Sequence, residues 1–365
     1  MFIRVISPEK GALELARQAA LMVVDGGYLR VERAWRSYLA QNAPCQVIQV
    51  ETNVIVPVEA ASLHEEYAAR TIRPKIYKRL NDFDVPVAEQ PIRLSSMGIS
   101  LAMDEFAIET LDTALSRLSI DRSLKPVDFF QGGTRCAETL LADFIKRKLP
   151  KYNELKNNPE FDYTSQLSPY LHFGQISPLH IYRSVTALPA ETSNAFIEEL
   201  LIRRELSMNF VWYNKQYDSI DSLPTWARAT LDKHRSDPRP YVYTIQQLEQ
   251  AATHDVFWNA AQEEMVLKGK MHGYMRMYWG KKILEWTVEP AEAYQTAIYL
   301  NNKYCLDGRD PNSYTGIAWC FGKHDRPWQE RAVFGTIRYM NDTGLKRKFD
   351  MNGYLGKVQR LRSNP

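Results

Sequence analysis

The chain has 365 residues, 45% of them hydrophobic and 24% charged, an ordinary globular balance long enough for two domains. It holds no run of about 18 apolar residues, and MFIRVISPEK lacks the charged start, apolar run and cleavage site of a signal peptide, so a soluble cytosolic protein is expected rather than a secreted or membrane-spanning one. The net charge of +3 is too small to imply a polyanionic partner, and four scattered cysteines, Cys45, Cys136, Cys305 and Cys320, with no CxxC pair, suggest neither disulfides nor a zinc site.

FIRVIS, from Phe2, and LMVVDG read as buried strands separated by the amphipathic PEKGALELARQAA. LRVERAWRSYLA follows as a helix and CQVIQVE as a third strand. This βαβαβ order predicts a parallel sheet with right-handed crossovers. A doubly wound domain has about five or six strands, so residues 1–60 read as an α/β domain cut short. From Asn53 to about Ser100 the chain carries Pro57, Pro74, Pro86 and Pro91; it reads as a surface linker, bounded at 61–103, with one short helix around His64 to Arg70.

From about Asp104 to the end, 104–365, the pattern becomes helical, with TRCAETLLADFIKRKL and then TSNAFIEELLIRRELSMNFVWY, for which Ser193 or Asn194 is the expected N-cap. HDVFWNAAQEEMVLKGK, MHGYMRMYWGKKILEWTV and AEAYQTAIYLNNKY continue it without a repeat or low-complexity tract, so this half reads as one all-helical domain. Trp279 and Trp286 fall on one helix face, about 10.5 Å apart along the axis at a 1.5 Å rise. That spacing allows electron hopping between indoles; with Met275 and Ile283 beside them the same stripe equally makes a core, and periodicity does not decide between the two.

MHGYMRMYWGKKILEW, with THDVFWNAAQ before it and LNNKYCLDGRDPNSYTGIAW after it, closely resembles the flavin-binding half of class II cyclobutane pyrimidine dimer photolyases, and the resemblance runs from about Phe2 to Lys348. It implies an α/β, Rossmann-like but truncated N-terminal domain followed by an all-α FAD-binding domain. It also implies a cycle in which reduced, anionic FAD, driven by blue or near-ultraviolet light, donates an electron to a dimer flipped out of double-stranded DNA, without a metal. A monomer acting wherever the DNA lies, cytoplasm or nucleus, is expected.

The resemblance assigns residues in turn. TSQLSPYLHFGQISP matches the flavin phosphate segment, with hydroxyls from Thr164, Ser165 and Ser168 and a backbone group from Leu167; Tyr152 matches a flavin-contacting tyrosine. Arg276 and Asp307 match an ion pair beside the flavin ring, where a fixed positive charge favours the anionic form, and Asn301 matches the asparagine facing N5. Trp279, Trp258 and Trp286 match three tryptophans that photoreduce the flavin, Trp279 being nearest the ring, with Tyr243 near that route. Glu199 matches the glutamate that hydrogen-bonds the 5′ base of the dimer, a role that calls for a raised pKa in a dry pocket; Glu198 beside it faces about 100° away and cannot share it. Met277 and Trp319 match walls of the lesion pocket, Arg326 and Trp328 a pair filling the gap left in the duplex, and Asn157 a contact near the opposite strand.

Three departures from the family pattern stand out. KNNP, Lys156 to Pro159, replaces the commoner RNDP; the loop holding Arg326 is one residue shorter; and the missing first strands argue against an antenna chromophore. The tail, LKRKFD and KVQRLR, is basic enough to face DNA or simply to solubilise. A cryptochrome-like light sensor would keep FAD and the tryptophans but has no use for Glu199, Trp319, Arg326 and Trp328, and a decayed enzyme would not keep every expected catalytic position filled.

Overall fold

The computed structural model describes residues 3–85, 90–101 and 103–363; Phe2 and Pro86, which figured in the expected first strand and linker, lie outside the described residues. The chain forms two compact units, Met1–Thr52 with Asn81–Pro126, and Asn53–Leu80 with Val127–Pro365.

The first unit opens α1 (Pro8–Ala16), β1 (Leu21–Asp25), α2 (Arg30–Asn42), β2 (Gln46–Val50). The strands pair in parallel with Leu21 opposite Gln46 and Asp25 opposite Val50, the expected crossover order. Two expectations fail here. Residues 3–7 form no strand, and the strands are not buried: Val23 is 59% exposed while Met22 and Val24 are only half-buried. Exposed and half-buried residues alternate along β1, so at most one face of the sheet is partly covered, whereas a buried parallel strand needs cover on both.

The first part of the supposed linker, residues 53–83, holds helices and buried residues, whereas residues 90–100 are exposed and irregular as expected. The first part contains α3 (Val58–Ala61) and α4 (Ala69–Phe83), and residues 64–68, where a helix was expected, are irregular. Ile55, Val56, Ile72 and Ile76 are buried. Irregular buried backbone must find partners, and three polar residues far along the chain supply them. The Glu205 carboxylate accepts the Ile55 and Val56 N–H groups at 2.7 and 3.2 Å, Asn209 accepts from Glu66 N at 2.7 Å and donates to His64 O at 3.0 Å, and the Arg204 guanidinium donates to Asn53. Residues 53–80 thus belong with the helical unit, and the units do not follow the linear boundaries expected at 60 and 103. Pro74 sits inside α4 without ending it.

The remaining helices are α5 (Leu111–Ser116), in the first unit, and then α6 (Thr134–Asp143), α7 (Tyr152–Leu155), α8 (Ser168–His172), α9 (Pro178–Thr186), α10 (Ala190–Ile197), α11 (Arg204–Tyr213), α12 (Thr225–Lys233) and α13 (Ile245–Glu249). α14 (Val256–Lys268), α15 (Gly273–Trp286), α16 (Pro290–Tyr304), α17 (Pro311–Cys320), α18 (Asp342–Lys348) and α19 (Met351–Ser363) complete the chain. α10 is capped by Pro189, not by Ser193 or Asn194; Ser193 is buried in its first turns with its hydroxyl on the Pro189 carbonyl.

α15 is the central helix. It buries Met275, Tyr278, Trp279, Lys281, Ile283, Leu284 and Trp286, the all-round burial of a helix enclosed by others. α14, α16 and α17 pack against it. At Gly280 the approach of α17 is so close that a Cβ would lie 2.6 Å from Cys320 Sγ. α14 begins on Asp255, whose carboxylate accepts the Phe257 and Trp258 N–H groups, and ends at Gly269 in the left-handed conformation. These two local signals fix where Trp258 and the start of α15 fall.

Candidate active site

Within the helical unit, a cavity of about 310 Å³ opens among α7 to α11, α14, α15, α17, α19 and intervening loops. Tyr152, Thr164, Ser165, Leu167, Ser168, Glu199, Arg276 and Asp307 all line it. The loop leading into α8 is held by Gln166, at a φ of 58, which donates to Asp162 Oδ1 at 2.7 Å and Thr164 Oγ1 at 2.9 Å. α8 itself is five residues long, so it offers N–H groups and hydroxyls but little macrodipole.

Arg276 and Asp307 form an ion pair in the cavity wall. Arg276 Nη2 lies 3.6 Å from Asp307 Oδ1, Ser168 Oγ donates to Asp307 Oδ2 at 2.6 Å, and Lys270 Nζ donates to the Ser168 hydroxyl and stands 3.9 Å from the same carboxylate. Burial alone would raise the Asp307 carboxyl, but Arg276, Lys270 and the Ser168 hydroxyl outweigh it and hold the group below its ordinary range. Burial pushes the Cys305 thiol up to about 12, so it remains a neutral neighbour 3.7 Å from the Arg276 guanidinium.

Further basic residues reach the cavity that the sequence reading passed over, among them two lysines and an imidazole. Lys268 is pushed down to about 8 by burial, Lys270 is also lowered by desolvation, and His272 is pushed down to about 4 by burial and is therefore neutral at pH 7. Their signal was in plain sight, the Lys268-Gly269-Lys270-Met271-His272 run just ahead of α15. Among the described residues, Arg276 Nε, Asp307 Oδ1, His272 Nε2 and Gln166 Oε1 are buried without a hydrogen-bond partner, and all four belong to the lining. Unmatched donors and acceptors converging on one apolar-walled space mark a site for a polar, charged ligand.

Other expected residues are placed differently. Asn301 is 1% exposed and does not line the cavity; its amide donates to the Ser313 hydroxyl at 2.6 Å, and Ser313 forms the wall in front of it. Glu199 lies in a π-helical turn, Glu198–Arg203, whose wider pitch turns Glu199 to the cavity and Glu198 to Arg73, 2.8 Å away. The dry surroundings expected for Glu199 are not found. Its side chain is 44% exposed and accepts from Lys156 Nζ at 2.6 Å, because the KNNP segment lies beside the π turn.

Arg203, in the same π turn as Glu199, has its guanidinium 5.0 Å over the Trp319 ring, and the Met277 sulfur is 3.9 Å from Cys320. Arg326 and Trp328 gather on Asp325, with the guanidinium 5.4 Å from the indole, and Asn157 is exposed. None of Met277, Trp319, Arg326, Trp328 and Asn157 lines the cavity itself.

The tryptophans form a continuous run. Trp258, from α14, is stacked on Trp279 at 6.3 Å between centroids and meets Trp286 edge-on at 5.6 Å, so it bridges the two indoles that α15 holds two turns apart. Trp258 Nε1 donates to the Trp279 carbonyl at 3.0 Å and Trp279 Nε1 to Gln262 at 2.9 Å, which fixes both rings. Trp279 is one turn along α15 from the cavity-lining Arg276, and Tyr243 packs on Trp286 at 5.3 Å at the other end.

No family model matches the chain. It is, however, 48% identical over 355 residues to the deoxyribodipyrimidine photo-lyase of Methanothermobacter thermautotrophicus, covering 97% of this chain and 78% of that one. The chain belongs to the deoxyribodipyrimidine photolyase family. The photo-lyase of Oryza sativa subsp. japonica is 44% identical over 363 residues, with 94% of this chain and 70% of that protein covered. The fold is shared more widely: the crystal structure of the Synechocystis cryptochrome superposes with a TM-score of 0.71 at 17% identity, over 98% of this chain and 73% of that one. Among the described residues no helix is long and apolar enough to cross a membrane.

Proposed function

We propose that this chain is a class II photolyase that splits cyclobutane pyrimidine dimers in double-stranded DNA, using light and a reduced FAD held in the cavity. The observation that carries the reading is the cavity wall joined to a tryptophan run, Arg276 lining the one and Trp279 beginning the other on a single helix. FAD, when bound, supplies the photochemical electron.

The chain's own residues bind, orient and charge-match. Thr164, Ser165, Ser168 and the Leu167 backbone, with Lys268 and Lys270 close by, suit a diphosphate. The Arg276 cation, oriented by Asp307 and Ser168, favours an anionic ring, and its Nε and Asp307 Oδ1, both without a hydrogen bond, are the contacts such a ring would take up. Tyr152 walls the same space, and Asn301 acts on the ring through Ser313 or by exchanging that bond for one to the ring. Trp286, Trp258 and Trp279 carry electrons inward to the cavity. At the other end Glu199, released from Lys156, hydrogen-bonds the dimer base, while Met277 and Trp319 replace its stacking partners and Arg326 and Trp328 fill the duplex. Asn157 reaches the opposite strand. Direct excitation of the one flavin suffices, without an antenna pigment, and the protein works as a monomer on the DNA.

The test uses purified protein, photoreduced and mixed under blue light with an oligonucleotide carrying a single thymine dimer, with recovery of base absorbance as the readout. Light-dependent recovery, with FAD as the sole chromophore released on denaturation, is expected. Bound, reducible FAD without repair would replace this reading by that of a light sensor, and a second released pigment would refute the antenna-free part.

A further inference from the structure

The tryptophan run does not end on an indole. Beyond Trp286 lies a compact aromatic group drawn from the segment before α13 and the residue before the cap of α14. Tyr243 and His254 each lie 5.3 Å from the Trp286 ring, and Tyr241, 48% exposed, stacks on His254 at 3.7 Å with a 19° interplanar angle. The Tyr243 N–H donates to the Trp286 carbonyl at 3.2 Å, and Asp255, the N-cap of α14, follows His254 directly, so both side chains are anchored to the helices that carry the indoles.

The hydrogen bonds at the Tyr243 phenol fix the direction of its proton. The phenol oxygen accepts the backbone N–H of His254 at 3.0 Å and lies 2.7 Å from Nδ1 of the same residue. Were Nδ1 protonated, two donors would point at one oxygen and the phenolic hydrogen would have no partner here. The arrangement in which every group is satisfied has the Tyr243 O–H donating to a bare Nδ1.

A phenol cannot give up an electron cheaply while it keeps its proton, because the oxidised phenol is a strong acid; an acceptor already hydrogen-bonded to it removes that cost. We infer that His254 is the proton acceptor that lets Tyr243 reduce the oxidised Trp286, making Tyr243 and His254 the outer terminus of the run. The step balances. The Trp286 indole, oxidised by one electron by the photoexcited flavin through Trp279 and Trp258, takes one electron from Tyr243 and returns to a neutral indole. Tyr243 loses that electron and its phenolic proton, which passes to His254 Nδ1. The product is a neutral tyrosyl radical that accepts two hydrogen bonds, from the imidazolium and from the His254 backbone N–H, and the positive charge has moved onto a ring at the surface. Charge no longer sits on the indole, so return of the electron along the run is slowed.

This inference rests on the reading of the tryptophans as a photoreduction route, and the experiment separates the two. The holoprotein with oxidised FAD is flash-illuminated, and the radical is identified by its electron paramagnetic resonance spectrum and timed by transient absorption. An indole radical that gives way to a tyrosyl radical, more slowly in D2O, is expected in the unaltered protein. His254→Phe keeps a ring under Tyr241 but lacks Nδ1; tyrosyl formation is expected to slow about 100-fold, the low end of what a positioned proton acceptor contributes. His254→Ala should behave likewise and recover on addition of imidazole, which a merely structural role for His254 would not produce. Tyrosyl formation at an unchanged rate in His254→Phe, or a tyrosyl signal that persists in Tyr243→Phe, overturns the assignment while leaving the indole route intact. Absence of any indole or tyrosyl radical in the unaltered protein overturns both.

Discussion

Lys281 gives the sharpest test of the helical core, because its charge is enclosed within α15. None of its side chain is exposed, and its ammonium donates to the Cys320 carbonyl at 2.8 Å, at the C-terminus of α17, where carbonyls lack helical partners and cations are favoured. Burial pushes the group from 10.5 down to about 8, against smaller upward effects from Cys320 and Asp325. At about 1.36 kcal/mol per pH unit that gap is worth about 3 kcal/mol against the folded state. Below pH 8 both folded and unfolded chains carry the proton and the penalty is complete. Between 8 and 10.5 the unfolded chain binds it more tightly, so stability rises with pH, and above 10.5 the penalty is gone. Lys281→Met keeps the length and loses the charge, at about 1 kcal/mol for the lost bond to Cys320. The variant should therefore be about 2 kcal/mol more stable than the natural protein at neutral pH, with the difference shrinking to nothing by about pH 10. Urea unfolding of both proteins, followed by the fluorescence of the buried tryptophans at about pH 7 and about pH 10, measures the two differences. A variant that is less stable at neutral pH, or a difference that does not change with pH, would show that the ammonium is compensated in the core and refute the reasoning.

The other predictions concern the site. Trp258→Phe removes the middle indole and leaves a span of about 10.5 Å along α15 in place of steps of 6.3 and 5.6 Å, so photoreduction of bound FAD should slow markedly while chemically reduced protein still repairs; undiminished photoreduction would mean that another route carries the electron. Asp307→Asn leaves the Arg276 and Lys270 cations buried without their counter-charge, a loss of about 3–5 kcal/mol that thermal denaturation should register together with a lower FAD content; an unchanged melting temperature would mean that the cations are satisfied elsewhere. Glu199→Ala should lower the yield of repaired dimer with FAD still bound and photoreducible, and an unchanged yield would remove Glu199 from the lesion pocket.

What the sequence by itself determined is what local chemistry controls. Asp255 and Gly269 bracket α14 within one turn of either end, Pro290 opens α16, and β1, α2 and β2 fall where alternation and amphipathic spacing put them, because caps and periodicity depend on residues a few positions apart. The motif blocks likewise named eight residues of the cavity wall. Only the tertiary structure decided the rest. Residues 53–80 read as a linker because the groups that satisfy their backbone, Arg204, Glu205 and Asn209, lie about 150 positions along the chain, and nothing in the Pro57 to Pro74 segment announces them. The spacing of Trp279 and Trp286 left open whether they make a core or a path. Trp258, brought between them by the packing of α14 on α15, joins them into one run, and the pairing of Glu199 with Lys156 arises from a π turn that no periodicity reveals. Burial and pairing depend on which distant surfaces meet, and the period of a helix is blind to that.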